Sequence, residues 1–268
     1  MRKTLFSGIA ACLFATAATA AEQSPSVIWT VGQADRSASE FALAPDRFRD
    51  FLANDFGYED KYFLVGHSVP AADFPYVLPG PADTWGGTWP TSGWRTHQVN
   101  ILFGLKEIPS DGTCTLVVDL LDYAKNFLPL VKVSVNTQDA KFQLDAPGLC
   151  VADQRKPNQM EKIVDTLSIT GNLAKATPRR LEIPIRPGVL KAGGNEVTIT
   201  VLEGSWILFD RVSLEGPAGT NVEQPQQLFI RNIEAAPYEL ADGKRRVQPL
   251  LVDLESVSYT HLTLPTKA

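Results

Sequence analysis

Three tryptophans fall within ten residues, at Trp85, Trp89 and Trp94. Arg95 follows directly, and Tyr76 and Asp83 precede them. Sugars present apolar C–H faces and hydroxyl edges. Aromatic rings suit the faces, and carboxylate, amide and guanidinium groups suit the edges. Tyr76, Asp83, Trp85, Trp89, Trp94 and Arg95 therefore form the candidate carbohydrate-binding set. The same tryptophans would also serve to pack a loop onto a protein edge. The sequence leaves both roles open.

Catalytic signatures are missing. His67 and His97 stand outside any H-E-x-x-H pattern, and there is no C-x-x-C, phosphate-binding loop or G-x-S-x-G. Thirty Asp and Glu residues offer many carboxylate pairs for glycoside hydrolysis, and nothing singles one out. No catalytic residue and no metal ligand is assigned. The net charge of −5 and pI of about 5.3 argue against nucleic acid or an acidic lipid surface as partner.

The elements that must position the loop are short strands. Between Asp73 and Pro90 four prolines and three glycines exclude regular structure. On either side, apolar residues alternate with polar ones. Lys61 to Ser68, Thr96 to Leu105, Gly112 to Leu120, Leu130 to Asn136, Glu161 to Leu173 and Arg179 to Ile185 read as strands. Pro184 puts the last of these at an edge. Asp46 to Phe56 reads as a short helical or irregular segment. Val197, Ile199 and Val201 alternate with Thr198 and Thr200, Gly204-Ser205 is a turn, and Trp206 to Leu214 is a further strand, so this stretch reads as a closing hairpin. With about eight to ten strands before Pro217, the fold class is all-β, a jelly-roll sandwich.

The N-terminus reads as a targeting segment. Arg2-Lys3, an apolar run to Ala17 and Ala18-Thr19-Ala20 give the three parts of a Sec signal peptide over residues 1–20. A lipoprotein signal ending at Cys12 is the rival reading. Either form implies export, to the periplasm or outside the cell. In that oxidising compartment Cys114 and Cys150 would form a disulfide worth about 3–4 kcal/mol. Two buried thiols are the alternative. No later apolar run is long enough to span a bilayer, so no membrane partner is assigned.

Ala218 to Gln226 has linker composition. Leu228 to Tyr238 and Arg246 to Glu255 are strand-like and joined at Ala241-Asp242-Gly243, so 227–255 reads as the first hairpin of a second β-domain. Ser256 to Thr266, SVSYTHLTLPT, resembles the in-frame translation of a sequencing-library adapter. Residues 256–268 are therefore set apart from the native fold.

Four blocks resemble one family in order. They are Val31-Gly32 with Asp35 and Glu40-Phe41; Asp73 to Tyr76 with Pro79-Gly80-Pro81, Asp83 and Trp85; Pro129 to Asn136; and Leu190 to Pro217. Together they resemble domain III of family 4 polysaccharide lyases, the rhamnogalacturonan lyases, over Val27 to Pro217. The resemblance implies a galactose-binding-like jelly roll. It also implies a polysaccharide or oligosaccharide partner and a catalytic domain elsewhere in the gene, either a glycoside hydrolase or a polysaccharide lyase. In that family the module follows its catalytic domain, whereas here it follows the signal segment. No cofactor is implied; folds of this type often hold a structural calcium, but no EF-hand-like pattern occurs to assign one. A binding module, an enzyme fragment and a purely structural spacer all remain open.

Overall fold

The computed structural model describes residues 26–51, 61–83, 97–108, 113–145, 167–223, 228–243 and 245–256. The signal segment, Trp85, Trp89, Trp94, Arg95, Cys150 and residues 257–268 lie outside them.

Among the described residues ten strands lie between Ser26 and Gly216: β1 (Ser26–Gly32), β2 (Lys61–Leu64), β3 (Val77–Leu78), β4 (Gln98–Leu105), β5 (Cys114–Tyr123), β6 (Leu130–Val135), β7 (Gln138–Gln143), β8 (Arg179–Ile185), β9 (Gly193–Glu203) and β10 (Ile207–Gly216). They form two sheets. The first runs β1-β10-β5-β8, with β3 also on β10. The second runs β4-β9-β6-β7, with β2 parallel to β4. The protein is an all-β sandwich.

Alternation builds the core. Val197, Ile199 and Val201 of β9 and Val131, Val133 and Val135 of β6 point inward, with Thr198, Thr200, Lys132 and Ser134 on the other face. Each inward aliphatic side chain contributes about 1.5–3 kcal/mol through burial. Aromatic rings fill the space between the layers. Trp29 of β1 meets Phe103 of β4 at 5.2 Å between ring centres, and Phe74 meets Phe209 of β10 at 5.1 Å. Pro184 sits in β8 at the edge of the first sheet, where its missing N–H costs no ladder bond.

Two local expectations change. Gly204-Ser205 does not close a hairpin: β9 pairs with β4 and β6, and β10 with β1, β3 and β5, so the chain crosses between sheets there. The corner's backbone groups are met by other loops. Ala82 N–H donates to Gly204 O, and Ser205 N–H donates to Phe127 O, both at 2.9 Å. The strand expected over Glu161 to Leu173 is replaced, in its described part, by 3-10 turns at Leu167–Thr170 and Leu173–Lys175. Gly171 adopts φ +91°, and Asn172 Oδ1 accepts Ala174 N–H at 3.1 Å, which bends the chain out of any extended path.

No disulfide is found among the described residues, and Cys150, the expected partner of Cys114, lies outside them. Cys114 is a buried free thiol whose sulfur packs over Gly216 beside Ile28. Burial pushes the thiol pKa up and keeps it inert. It behaves as a small apolar side chain.

Beyond Gly216 the expected linker is partly tied down. β11 (Val222–Glu223) pairs with the end of β4, and Lys106 N–H donates to Asn221 O at 3.1 Å. The approach needs Gly104: a Cβ there would lie 2.4 Å from Glu223 O. β12 (Leu228–Ala235) then pairs with β15 (Leu250–Ser256), and β13 (Leu240–Asp242) with β14 (Arg245–Val247). This ribbon leans on the outer face of the second sheet. Phe229 is buried with Leu64 and Leu102, and Arg231 stacks on the Tyr62 ring at 4.8 Å.

One buried carboxylate makes stability depend on pH. Asp210 of β10 accepts Arg36 N–H at 3.0 Å. Burial, with the nearby charges of Asp119, Asp35 and Glu40, pushes its pKa up to about 6. Arg180 and Arg211 are committed to Asp119, at 2.6 and 3.0 Å. The folded value lies above the unfolded one, so the folded state holds the proton longer. Stability from this group is full below about pH 4 and is lost as pH rises to about 6. Asp210→Asn keeps an oxygen for Arg36 N–H and removes the charge. It is expected to be more stable than wild type at pH 7 by about 1–3 kcal/mol, with no gain at pH 4. Thermal melts from pH 4 to pH 8 measure this; equal melting temperatures at pH 7 would refute it.

Candidate functional site

The connections at one end of the sandwich converge. Residues 79–83, 124–129, 167–170 and 204–206 surround a hollow of about 310 Å³ lined by Asp83, Asn126, Phe127, Ile169, Trp206 and Phe48. Each wall is fixed by a specific buried bond.

The connection between β5 and β6 hangs on Asp122. Lys125 Nζ donates to Asp122 Oδ1 at 2.8 Å and lies 3.3 Å over the Tyr123 ring. Ser168 Oγ donates to Asp122 Oδ2 at 2.6 Å, and Thr177 N–H donates to Asp122 Oδ1 at 2.9 Å. One carboxylate thus ties the 124–129 connection to the 3-10 turn at Leu167–Thr170. Burial pulls the Lys125 pKa down, while the bond and charge of Asp122 pull it up.

Tyr76 holds the same turn from inside. Its hydroxyl donates to Ile169 O at 2.6 Å, and burial raises the phenol pKa well above its ordinary value. The side chain is 1% exposed. The expectation that Tyr76 contacts sugar is corrected: its ring is core, and its hydroxyl is committed. Asp83 is also buried. It accepts Gly80 N–H at 2.8 Å and the Ser205 hydroxyl, so it pins the proline-rich loop to the corner between β9 and β10. It lines the hollow as a wall. The segment bearing Trp85, Trp89, Trp94 and Arg95 lies between Asp83 and His97, outside the described residues.

Two residues not in the candidate set stand out. Phe127 is 47% exposed at the hollow. Its neighbour Asn126 has a buried Oδ1 with no hydrogen-bond partner among the described residues. The exposed Phe127 ring offers a face for one sugar unit, and Asn126 puts a polar amide beside it. The only signal in the sequence was a polar-aromatic pair between two apolar strands. Among the described residues no three His, Cys, Asp or Glu side chains gather closely enough to hold a metal ion.

Residues 27–214 match the family model described as CBM-like, polysaccharide lyase family 4, domain III. The chain belongs to this family. No curated protein sequence matches it. Among solved structures, the chain is similar to one titled "A novel family GH115 4-O-Methyl-alpha-glucuronidase, BtGH115A, with specificity for decorated arabinogalactans". That likeness has a TM-score of 0.24 and 16% identity over 44% of this chain and 13% of the other, too little to carry an argument.

The blocks that carry the CBM-like domain III resemblance hold the fold together. Asp35 accepts Ser37 N–H and Glu40 accepts Gln33 N–H, both at 2.9 Å, so the two acids cap the turn after β1. Asn136 sits at φ 48° in the β6–β7 turn. It donates to Asn195 Oδ1 at 2.9 Å and to Val189 O at 2.7 Å, and accepts Glu196 N–H at 2.9 Å. Asn195 in turn closes the loop before β9 through Lys191 and Gly193. Two distant motif blocks therefore meet at one pair of asparagines.

Proposed function

We propose that the sandwich is a non-catalytic carbohydrate-binding module of an exported polysaccharide-degrading enzyme. The observation that carries this is the loop-end hollow, where exposed Phe127 lies beside the unpartnered acceptor of Asn126. Family membership supports the ligand class. Tethering a catalytic domain to its polymer raises its effective concentration there, with no chemistry in the module itself. In this reading residues 1–20 are the export signal, the ribbon from residue 228 opens a second β-domain leading to the catalytic part, and 256–268 are not native. Trp85, Trp89, Trp94 and Arg95 stay candidates for contact with the polymer.

One observation favours a spacer instead: Asp35, Glu40, Asp83, Asn136 and Asn195 are all spent on internal bonds. Retention on immobilised pectic and hemicellulosic polysaccharides separates the two readings. Wild type is expected to be retained, and Phe127→Ala to weaken retention about tenfold, equivalent to about 1.4 kcal/mol. Trp85→Ala, Trp89→Ala and Trp94→Ala should each weaken it if those rings form the platform. No retention on any polymer by folded protein would leave the spacer.

A further inference from the structure

A second cleft lies away from the loop end, on the outer face of the second sheet. It has a volume of about 260 Å³. Its floor comes from Ser134 of β6 and Glu196 and Thr198 of β9, its rim from Thr137 and Lys191, and its far wall from Phe229 and Arg231 of β12. The cleft is thus built jointly by the sandwich and the C-terminal ribbon.

Arg231 and Glu196 are matched to each other in the cleft, and Lys191 adds a cation at its rim. Arg231 Nη2 contacts both oxygens of Glu196, at 2.9 and 3.0 Å, and its Nη1 lies 3.1 Å from Asp253 Oδ2. Arg231 Nε, by contrast, is buried with no hydrogen-bond partner among the described residues. A donor left unmade in such a place costs free energy until something accepts from it. Among the described residues the hydroxyls of Ser134 and Thr137, which line the cleft, make no hydrogen bond. A sugar hydroxyl both donates and accepts. The cleft sets the Arg231 guanidinium and the Glu196 carboxylate beside the hydroxyls of Ser134 and Thr137, which is the complement of neighbouring hydroxyls on one sugar ring. An anionic group would meet Glu196 in the same space.

We infer that this cleft is a second saccharide site, separate from the loop end, and that it takes a neutral sugar unit. It rests on the carbohydrate-binding reading of the chain. The ligand bridges the two units, so it fastens the ribbon to the sandwich as it binds. A neutral ligand also implies an affinity that changes little with salt, because no counterions are released on an uncharged partner.

The test is amide chemical-shift mapping on the whole chain, with β-1,4-galactotetraose and cellotetraose as neutral probes and tetragalacturonate as the acidic one. At least one neutral probe is expected to shift the amides of Ser134, Thr137, Lys191 and Gly194 at millimolar concentration. This should persist in Phe127→Ala, which disables the loop end. The Ser134→Ala/Thr137→Ala double variant, which removes no hydrogen bond among the described residues, should weaken the response at least tenfold. Shifts at the loop end alone would overturn the second site and leave the module reading standing. Cleft shifts with tetragalacturonate only would overturn the neutral class. A well-dispersed spectrum that no probe perturbs anywhere would count against both readings.

Discussion

Asp122→Ala is expected to cost about 3–5 kcal/mol, because it strips a buried ammonium of its partner. Lys125 Nζ is nearly enclosed and donates to Asp122 at 2.8 Å. Ser168 Oγ and Thr177 N–H lose the same acceptor. The cation–π contact with Tyr123 at 3.3 Å softens the loss without replacing a charge. Urea unfolding measures it as a shift in midpoint at constant slope. Lys125→Met alone removes the ammonium and leaves Asp122 the Ser168 hydroxyl and Thr177 N–H as donors, so its cost should be smaller. In the double variant no unpaired charge remains, and the two costs should add to less than their sum. Strict additivity would show that the two residues do not act as a pair. A loss under about 1 kcal/mol for Asp122→Ala would show that the carboxylate does not hold this end of the sandwich. The consequence for function is local. The same carboxylate anchors the connection carrying Asn126 and Phe127, so a folded Asp122→Asn should bind glycan more weakly than its stability loss alone implies.

What was legible in the sequence follows from how local each cause is. The alternation of Val197, Ile199 and Val201 marks a half-buried strand from five consecutive residues, and the strand is there. Pro184 announces an edge by its own missing N–H. The partners of Asp35 and Glu40 lie only two and seven residues away, so these bonds are local in sequence. The corner at Gly204-Ser205 was legible as a turn but not as a crossing. A hairpin and a crossing differ only in who accepts the flanking N–H groups, and here the partners are Phe127 and Ala82. Tyr76 failed for the same reason. It looked like a ring on a loop, but its hydroxyl finds Ile169, 93 residues on. Asn126 and Phe127 were invisible as a site because nothing nearby in sequence says which phenylalanine stays exposed. Asn136 and Asn195 were each visible as motif residues, and only the fold brings them to 2.9 Å. The described part of the family signature is thus mainly a record of bonds that hold the sandwich.

Gly204→Ala should be among the most damaging single substitutions in the chain. Gly204 has φ +81°, where an L-residue with a Cβ costs about 1–2 kcal/mol. The added Cβ would also lie 2.3 Å from Leu128 O and 2.8 Å from Phe127 O. Those are backbone atoms, and they have no easy retreat. Phe127 O accepts Ser205 N–H, and Gly204 O accepts Ala82 N–H, so the corner is tied on both sides. Relieving the collision adds about 1–3 kcal/mol, for a total of about 2–5 kcal/mol. Gly188→Ala is the matched comparison. It has the same φ of +81°, and nothing lies within 4 Å of its would-be Cβ. Only the backbone strain applies there, about 1–2 kcal/mol. The difference between the two midpoints in urea therefore isolates the contact at the corner. Equal losses would mean that the two connections do not touch as described, and the hollow they frame would lose its rigid wall. A larger loss at Gly204, with weaker glycan binding in whatever fraction folds, would tie the crossing between the sheets to the site that it carries.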